Sequence, residues 1–175
     1  MFSDLISIFR LLLTSFYLLA IWKIGDWKNW KNYYPTLLFY ISVNLGICYL
    51  IDDFPLWRYR DTLFINNHKI IDFFNTLIAF PALIFLYLSL FPVKSSWSRQ
   101  VFYMICFMLI EILVEGVFMY GKLIVYSNGW NFWWSALVWI FIFIGVRLHF
   151  IKPLWAWVLS FTCTGFLILY FDIQI

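Results

Sequence analysis

The sequence predicts an all-α polytopic membrane protein, a helix bundle with about six transmembrane helices. Three observations predict it. Hydrophobic residues make up 65% of the 175 and charged residues only 12%, against roughly 25% charged in ordinary soluble domains. So few charges cannot cover a soluble surface. Apolar runs recur at the roughly 20 residues that a helix needs to cross a bilayer. Aromatic residues reach 25%, with 11 Trp and 11 Tyr, the side chains that favour headgroup depth because ring body and polar tip are both satisfied there.

The six expected spans are 3–24, 35–51, 70–91, 101–121, 133–150 and 153–171, within one integral membrane domain over 1–175. The run 11–24 has no small-x-small cleavage site and leads into Trp-rich sequence, so it is expected to remain as the first span rather than to be removed as a signal peptide. Gly25-Asp26-Trp27-Lys28-Asn29-Trp30-Lys31 separates the first two spans, and Pro35 suits the first turn of the second. The longest polar stretch, 52–69, contains Pro55, Arg58, Arg60, Asp61 and Asn66-Asn67. Pro81 lies within the third span and is expected to bend it, unless neighbours satisfy the freed carbonyl. Serines in Pro92–Arg99 can cap the fourth helix, and Asn128-Gly129 marks a turn before the fifth. The turn before Pro153 must be tight, and a five-span reading with the chain end at the interface is its alternative. Gly-Trp and Pro-Leu-Trp strings around spans two and five also suggest an inverted repeat of two three-helix halves.

Charge placement orients the bundle. Lys23, Lys28, Lys31, Lys94, Arg99, Arg147 and Lys152 fall on one side, and Arg10, Arg58, Arg60, Lys69 and Lys122 on the other. Positive charge concentrates in cytoplasmic loops, so both termini are expected outside the cell membrane. The Trp-Lys strings read as anchors to the lipid bilayer, with rings at headgroup depth and lysines against anionic lipid. The net charge of +3 is small and dispersed, and no nucleic-acid partner is expected. Cys48, Cys106 and Cys163 are too dispersed for a metal motif and read as packing residues.

The polar residues inside the spans define the candidate site. Glu111 and Glu115, four residues apart, share one helical face in the middle of an apolar run. A charged side chain at that depth costs about 2.5–3.5 kcal/mol on insertion scales, so the pair needs partners, water or protons. Because successive spans alternate in direction, Arg10, Asp72, Asn75, Thr76 and Glu115 should lie in one half of the bilayer, with Glu111 about 6 Å deeper from the 1.5 Å rise per residue. Arg10 is expected to neutralise part of the carboxylate charge. Arg147 and His149 belong near the opposite face.

The leading reading is therefore a cation or small solute bound or passed at Glu111, Glu115, Asp72, Asn75 and Arg10. The second is a non-catalytic scaffold or accessory subunit whose acidic cluster meets another membrane protein or a second copy. The third is an intramembrane metalloenzyme using His68, Asp72, Glu111 and Glu115. Against the third, the chain lacks His-Glu-x-x-His, Gly-x-Ser-x-Gly and phosphate-loop patterns. No catalytic residue, metal or cofactor is expected.

The string Gly25-Asp26-Trp27-Lys28-Asn29-Trp30-Lys31-Asn32-Tyr33-Tyr34-Pro35-Thr36 resembles a stretch found in a family of small multi-pass membrane proteins of endospore-forming Gram-positive bacteria. Asn128-Gly129-Trp130-Asn131-Phe132-Trp133-Trp134-Ser135 and Arg147-Leu148-His149-Phe150-Ile151-Lys152-Pro153-Leu154 resemble it too, in the same order. The resemblance implies a bacterial membrane location and a link to sporulation or germination. It carries no catalytic or binding residue with it.

Overall fold

In the computed structural model of the chain, the described residues are 2–60 and 67–174, with side chains from residue 7 onward. The expected Asp61 and Asn66 of the polar stretch lie outside them. Among the described residues six helices form: α1 (Phe2–Ile24), α2 (Trp30–Leu50), α3 (His68–Ser89), α4 (Trp97–Tyr120), α5 (Phe132–Ile151) and α6 (Pro153–Tyr170). Among those residues the fold is all-α apart from two three-residue strands. Five helices, α1 and α3 to α6, are long and apolar enough to cross a membrane. The remaining helix, α2, is as long at 21 residues but carries Tyr33, Tyr34, Asn44 and Tyr49 among its apolar side chains.

Helix directions alternate along the chain. Tyr33 at the start of α2 meets Phe85 of α3 and Phe150 of α5, while Asn44 near its end reaches Thr76. Tyr103 at the start of α4 bonds the Tyr87 carbonyl, while Glu111 lies beside Tyr17. The starts of α1, α3 and α5 thus share one end of the bundle with the finishes of α2, α4 and α6. Helix α3 is the most enclosed, buried on nearly every side from Ala82 to Leu88.

The polarity of the bundle is the reverse of a soluble protein's. The inward stripe of α1 is Ser7, Arg10, Thr14, Tyr17 and Ile21, spaced three or four apart, while Leu12, Phe16, Leu19 and Trp22 face outward. Helix α4 turns Glu111 inward and Leu109, Leu113 and Val117 outward. Outward apolar faces match a lipid environment, where polar side chains belong in the bundle interior. Exposed Trp22, Trp97 and Trp155 gather at one end, and Tyr49, Trp133 and Tyr170 at the other, as expected of residues placed at the two membrane–water boundaries.

The details depart from sequence expectation at four places. Helix α2 starts at Trp30, so Pro35 sits in its second turn. The helix starts early because a 3₁₀ turn at Trp27–Asn29 already winds the chain, held by Asp26 accepting from the Asn29 amide and, at 2.8 Å, from the Tyr33 hydroxyl. Ser96 stands before α4 without capping it. The Gln100 amide instead reaches back to the Val93 and Ser95 carbonyls. The polar stretch 52–69 contains a strand, β1 (Trp57–Tyr59), paired antiparallel with β2 (Ile124–Tyr126) in the register Trp57↔Tyr126 and Tyr59↔Ile124. The Pro-Leu-Trp strings of the suggested repeat also differ in structure: Trp57 lies in a strand and Trp155 in a helix, and Leu56 is 1% exposed against 80% for Leu154.

Pro81 acts on α3 in a specific way. Upstream of it, Asn75–Ala79 forms one π-helical turn, closed by the Phe80 N–H bonding the Asn75 carbonyl. A proline ring clashes with the carbonyl four residues back and cannot bond it. Widening the turn by one residue relieves that clash, and such turns concentrate at functional positions. The expected Asn128-Gly129 turn forms with both residues at positive φ, 51° and 82°, a conformation that Asn and Gly accept most readily.

Candidate functional site

The ribbon end of the bundle gathers the polar residues. Glu111 is buried, and its Oε1 accepts a 2.5 Å bond from the Tyr17 hydroxyl, across 94 residues of chain. Glu115, one turn nearer the ribbon, accepts from the Tyr126 hydroxyl at 2.7 Å and from Trp139 Nε1 at 2.6 Å. Each carboxyl is therefore held by neutral donors. Outside the helices, burial and then the Glu115 charge push the Tyr126 phenol above its ordinary range, so Tyr126 remains the protonated donor of its pair.

Arg10 makes no hydrogen-bonded ion pair with the carboxyls. Its guanidinium lies 4.9 Å from the Tyr59 ring centre and 5.1 Å from that of Phe118, a cation–π arrangement. Its Nε, Nη1 and Nη2 are buried and have no hydrogen-bond partner. The hydrogen bonds of Glu111 and Glu115 go instead to Tyr17, Tyr126 and Trp139.

Two adjoining cavities join these groups. A large one of about 600 Å³ is bounded by α2, α3, α5 and α6, and its lining includes Asp72, Asn75, Thr76, Glu115 and Ser135. A small one of about 50 Å³ is lined by Arg10, Tyr17, Glu111 and Glu115. Tyr59, Asn75, Phe80, Glu115, Ile124 and Trp139 line both. All five residues singled out from sequence therefore line these two cavities: Asp72 the large one, Arg10 and Glu111 the small one, and Asn75 and Glu115 the wall they share. The π turn aims Asn75 and Thr76 into the large one, and Asn44 of α2 donates to Thr76 at 2.6 Å.

The other candidates lie elsewhere. His68 Nε2 is 4.0 Å from Asp52 Oδ1, in the loop before α3, where Lys69 also bonds Asp52 at 2.6 Å. The Lys69 ammonium holds the Asp52 carboxyl below the usual carboxylate range. Among the described residues no three His, Cys, Asp or Glu side chains converge as metal ligands. Arg147 stacks at 4.1 Å over Phe91 at the far end, and His149 contacts Thr36 Oγ1 at 3.0 Å and stacks on Phe39. The residues that sequence reasoning missed are Tyr17, Tyr59, Tyr126 and Trp139. Only Tyr17 carried a signal, its seven-residue spacing from Arg10 along one face of α1.

Comparison with family models, with curated proteins and with solved structures gives no match.

Proposed function

We propose that this chain is a multi-pass protein of the cell membrane, with both termini outside, that binds a cation or small solute at the ribbon end of its bundle. The observation that carries the reading is the 600 Å³ cavity with Asp72, Asn75 and Glu115 on its wall. Ligand sites are concave, mostly apolar and furnished with a few convergent polar groups. Ionisable residues inside a bundle are costly enough to suggest use. Three carboxyls, Asp72, Glu111 and Glu115, stand against the single guanidinium of Arg10, so the region favours a positive guest when they are ionised. The resemblance to small membrane proteins of endospore formers supports the location and adds sporulation or germination as the setting.

The test is proton and monovalent-cation flux in proteoliposomes, wild type against Glu111→Gln/Glu115→Gln at matched folded protein. Flux above empty liposomes that the double substitution abolishes is the expected result. No flux in either protein, with the variant aggregating or losing a co-purifying subunit, would favour the scaffold reading instead.

A further inference from the structure

We infer that the large cavity is a site for a lipophilic organic cation, one whose charge is spread over an apolar body. The inference rests on the cation reading above and narrows it to a substrate class. The charged residues lining this cavity are Asp72 and Glu115, both acids, while Arg10 lies in the smaller compartment over the ring of Tyr59. Aromatic side chains, Tyr40, Tyr59, Phe80, Trp134 and Trp139 among them, share the rest of the wall with aliphatic and small polar ones. Ring faces attract cations, most strongly where water is excluded.

Size and chemistry both select against a bare metal ion. The volume of about 600 Å³ falls within the range of roughly 300–1,000 Å³ occupied by drug-sized ligands. A hard metal ion demands about six oxygen ligands, whereas among the described residues no three His, Cys, Asp or Glu side chains converge as ligands, and both Glu115 oxygens already accept bonds from Tyr126 and Trp139. An organic cation gives up less hydration and gains ring contact. Glu115 is well suited to receive it, since Tyr126 and Trp139 fix its carboxylate against the wall. Helices α2 and α6 meet at the Phe39–Trp157 ring contact, and both contribute lining beyond it.

Gly145 offers a way to fill the cavity without touching its charge. It lies on the wall, and a Cβ built there meets nothing within 4 Å. The experiment is calorimetric titration of the full chain in lipid nanodiscs with tetraphenylphosphonium and with tetraphenylborate, ions of matched shape and opposite sign. The phosphonium should bind at least tenfold more tightly than the borate. Glu115→Gln and, independently, Gly145→Leu should each weaken it at least tenfold while the helical circular dichroism is retained. Equal or tighter borate binding, or phosphonium binding that survives both substitutions, would overturn the proposal. If neither ion binds while glutamate-dependent flux persists, the substrate class falls and the cation site stands. If flux is absent as well, both fall.

Discussion

The bundle has two arginines packed on aromatic rings, one toward each end, and their surroundings are opposites. Around Arg147 the neighbours are rings. Tyr87 packs against Phe91, Tyr103, Phe107 and Phe143, with centroids 4.9–5.7 Å apart. Around Arg10 lie two glutamates held by hydroxyls and an indole, a widened helical turn and a cavity. The first region fills space and leaves little room to bind anything. The second leaves space unfilled and keeps polar groups within it. In lipid, where burial of apolar surface supplies little drive between helices, packing is what holds them together. The aromatic end thus adds close packing beside the open cavity, alongside the cluster of Trp130, Trp134 and Phe171 near the ribbon.

The sharpest way to break that division is Phe143→Ala. Phe143 is fully buried and touches Tyr87, Phe107 and Trp139. In lipid the transfer contribution shrinks but the cavity contribution remains, so a loss of about 2–3 kcal/mol is expected in reversible unfolding from detergent micelles. Less than half of that would mean close packing at the aromatic end contributes little.

A paired substitution sharpens the contrast. Tyr17→Phe strips the buried Glu111 of its donor and should cost about 1–3 kcal/mol. Tyr87→Phe removes a buried hydroxyl that has no hydrogen-bond partner, and should leave stability unchanged or raise it by about 1 kcal/mol. The same chemical change is thus expected to cost stability at Tyr17 and not at Tyr87 in one unfolding assay, and equal costs would remove the distinction.

The smallest effect concerns the loop at the rim of the open end. Asp52 is held below its ordinary value of 3.8 by Lys69 and, more weakly, by His68 and Arg58. A carboxyl with a lowered folded pKa adds stability that is present above the unfolded pKa and lost as pH falls through the folded one. The loss should therefore lie below pH 3.8. Lys69→Met should raise the Asp52 titration midpoint measured by carboxyl NMR, and an unmoved midpoint would show that the contact is not kept in solution.

Much of this arrangement was legible in the sequence, and the illegible part has a common cause. Apolar run length located the six helices, and alternation of direction placed Arg10, Asp72, Asn75 and Glu115 in one half of the bundle. What direction cannot supply is rotation about each helix axis. Whether Arg10 meets a carboxylate or a ring depends on azimuth, and here it faces Tyr59 and Phe118 while Tyr17 and Trp139 bond the glutamates. The pairing of Trp57–Tyr59 with Ile124–Tyr126 joins segments more than 60 residues apart through three-residue strands, too short for any alternation pattern to declare itself. Tyr59 and Tyr126 were unreadable for that reason. The π turn was foreshadowed by Pro81, and it shows as a widening of the helix just before that residue.

That widening sets a phase. Each residue of an α-helix advances the side-chain direction by about 100°, so the extra residue in Asn75–Ala79 offsets everything before it against everything after it. His68–Phe74 carries Asp72, and Phe80–Ser89 carries Tyr87. The two ends of one helix are thereby dialled separately, one toward the cavity and one toward the rings. A single-residue deletion within Asn75–Ala79 would couple the dials again, swinging Asp72 away from the cavity while Tyr87 kept its place among its neighbours.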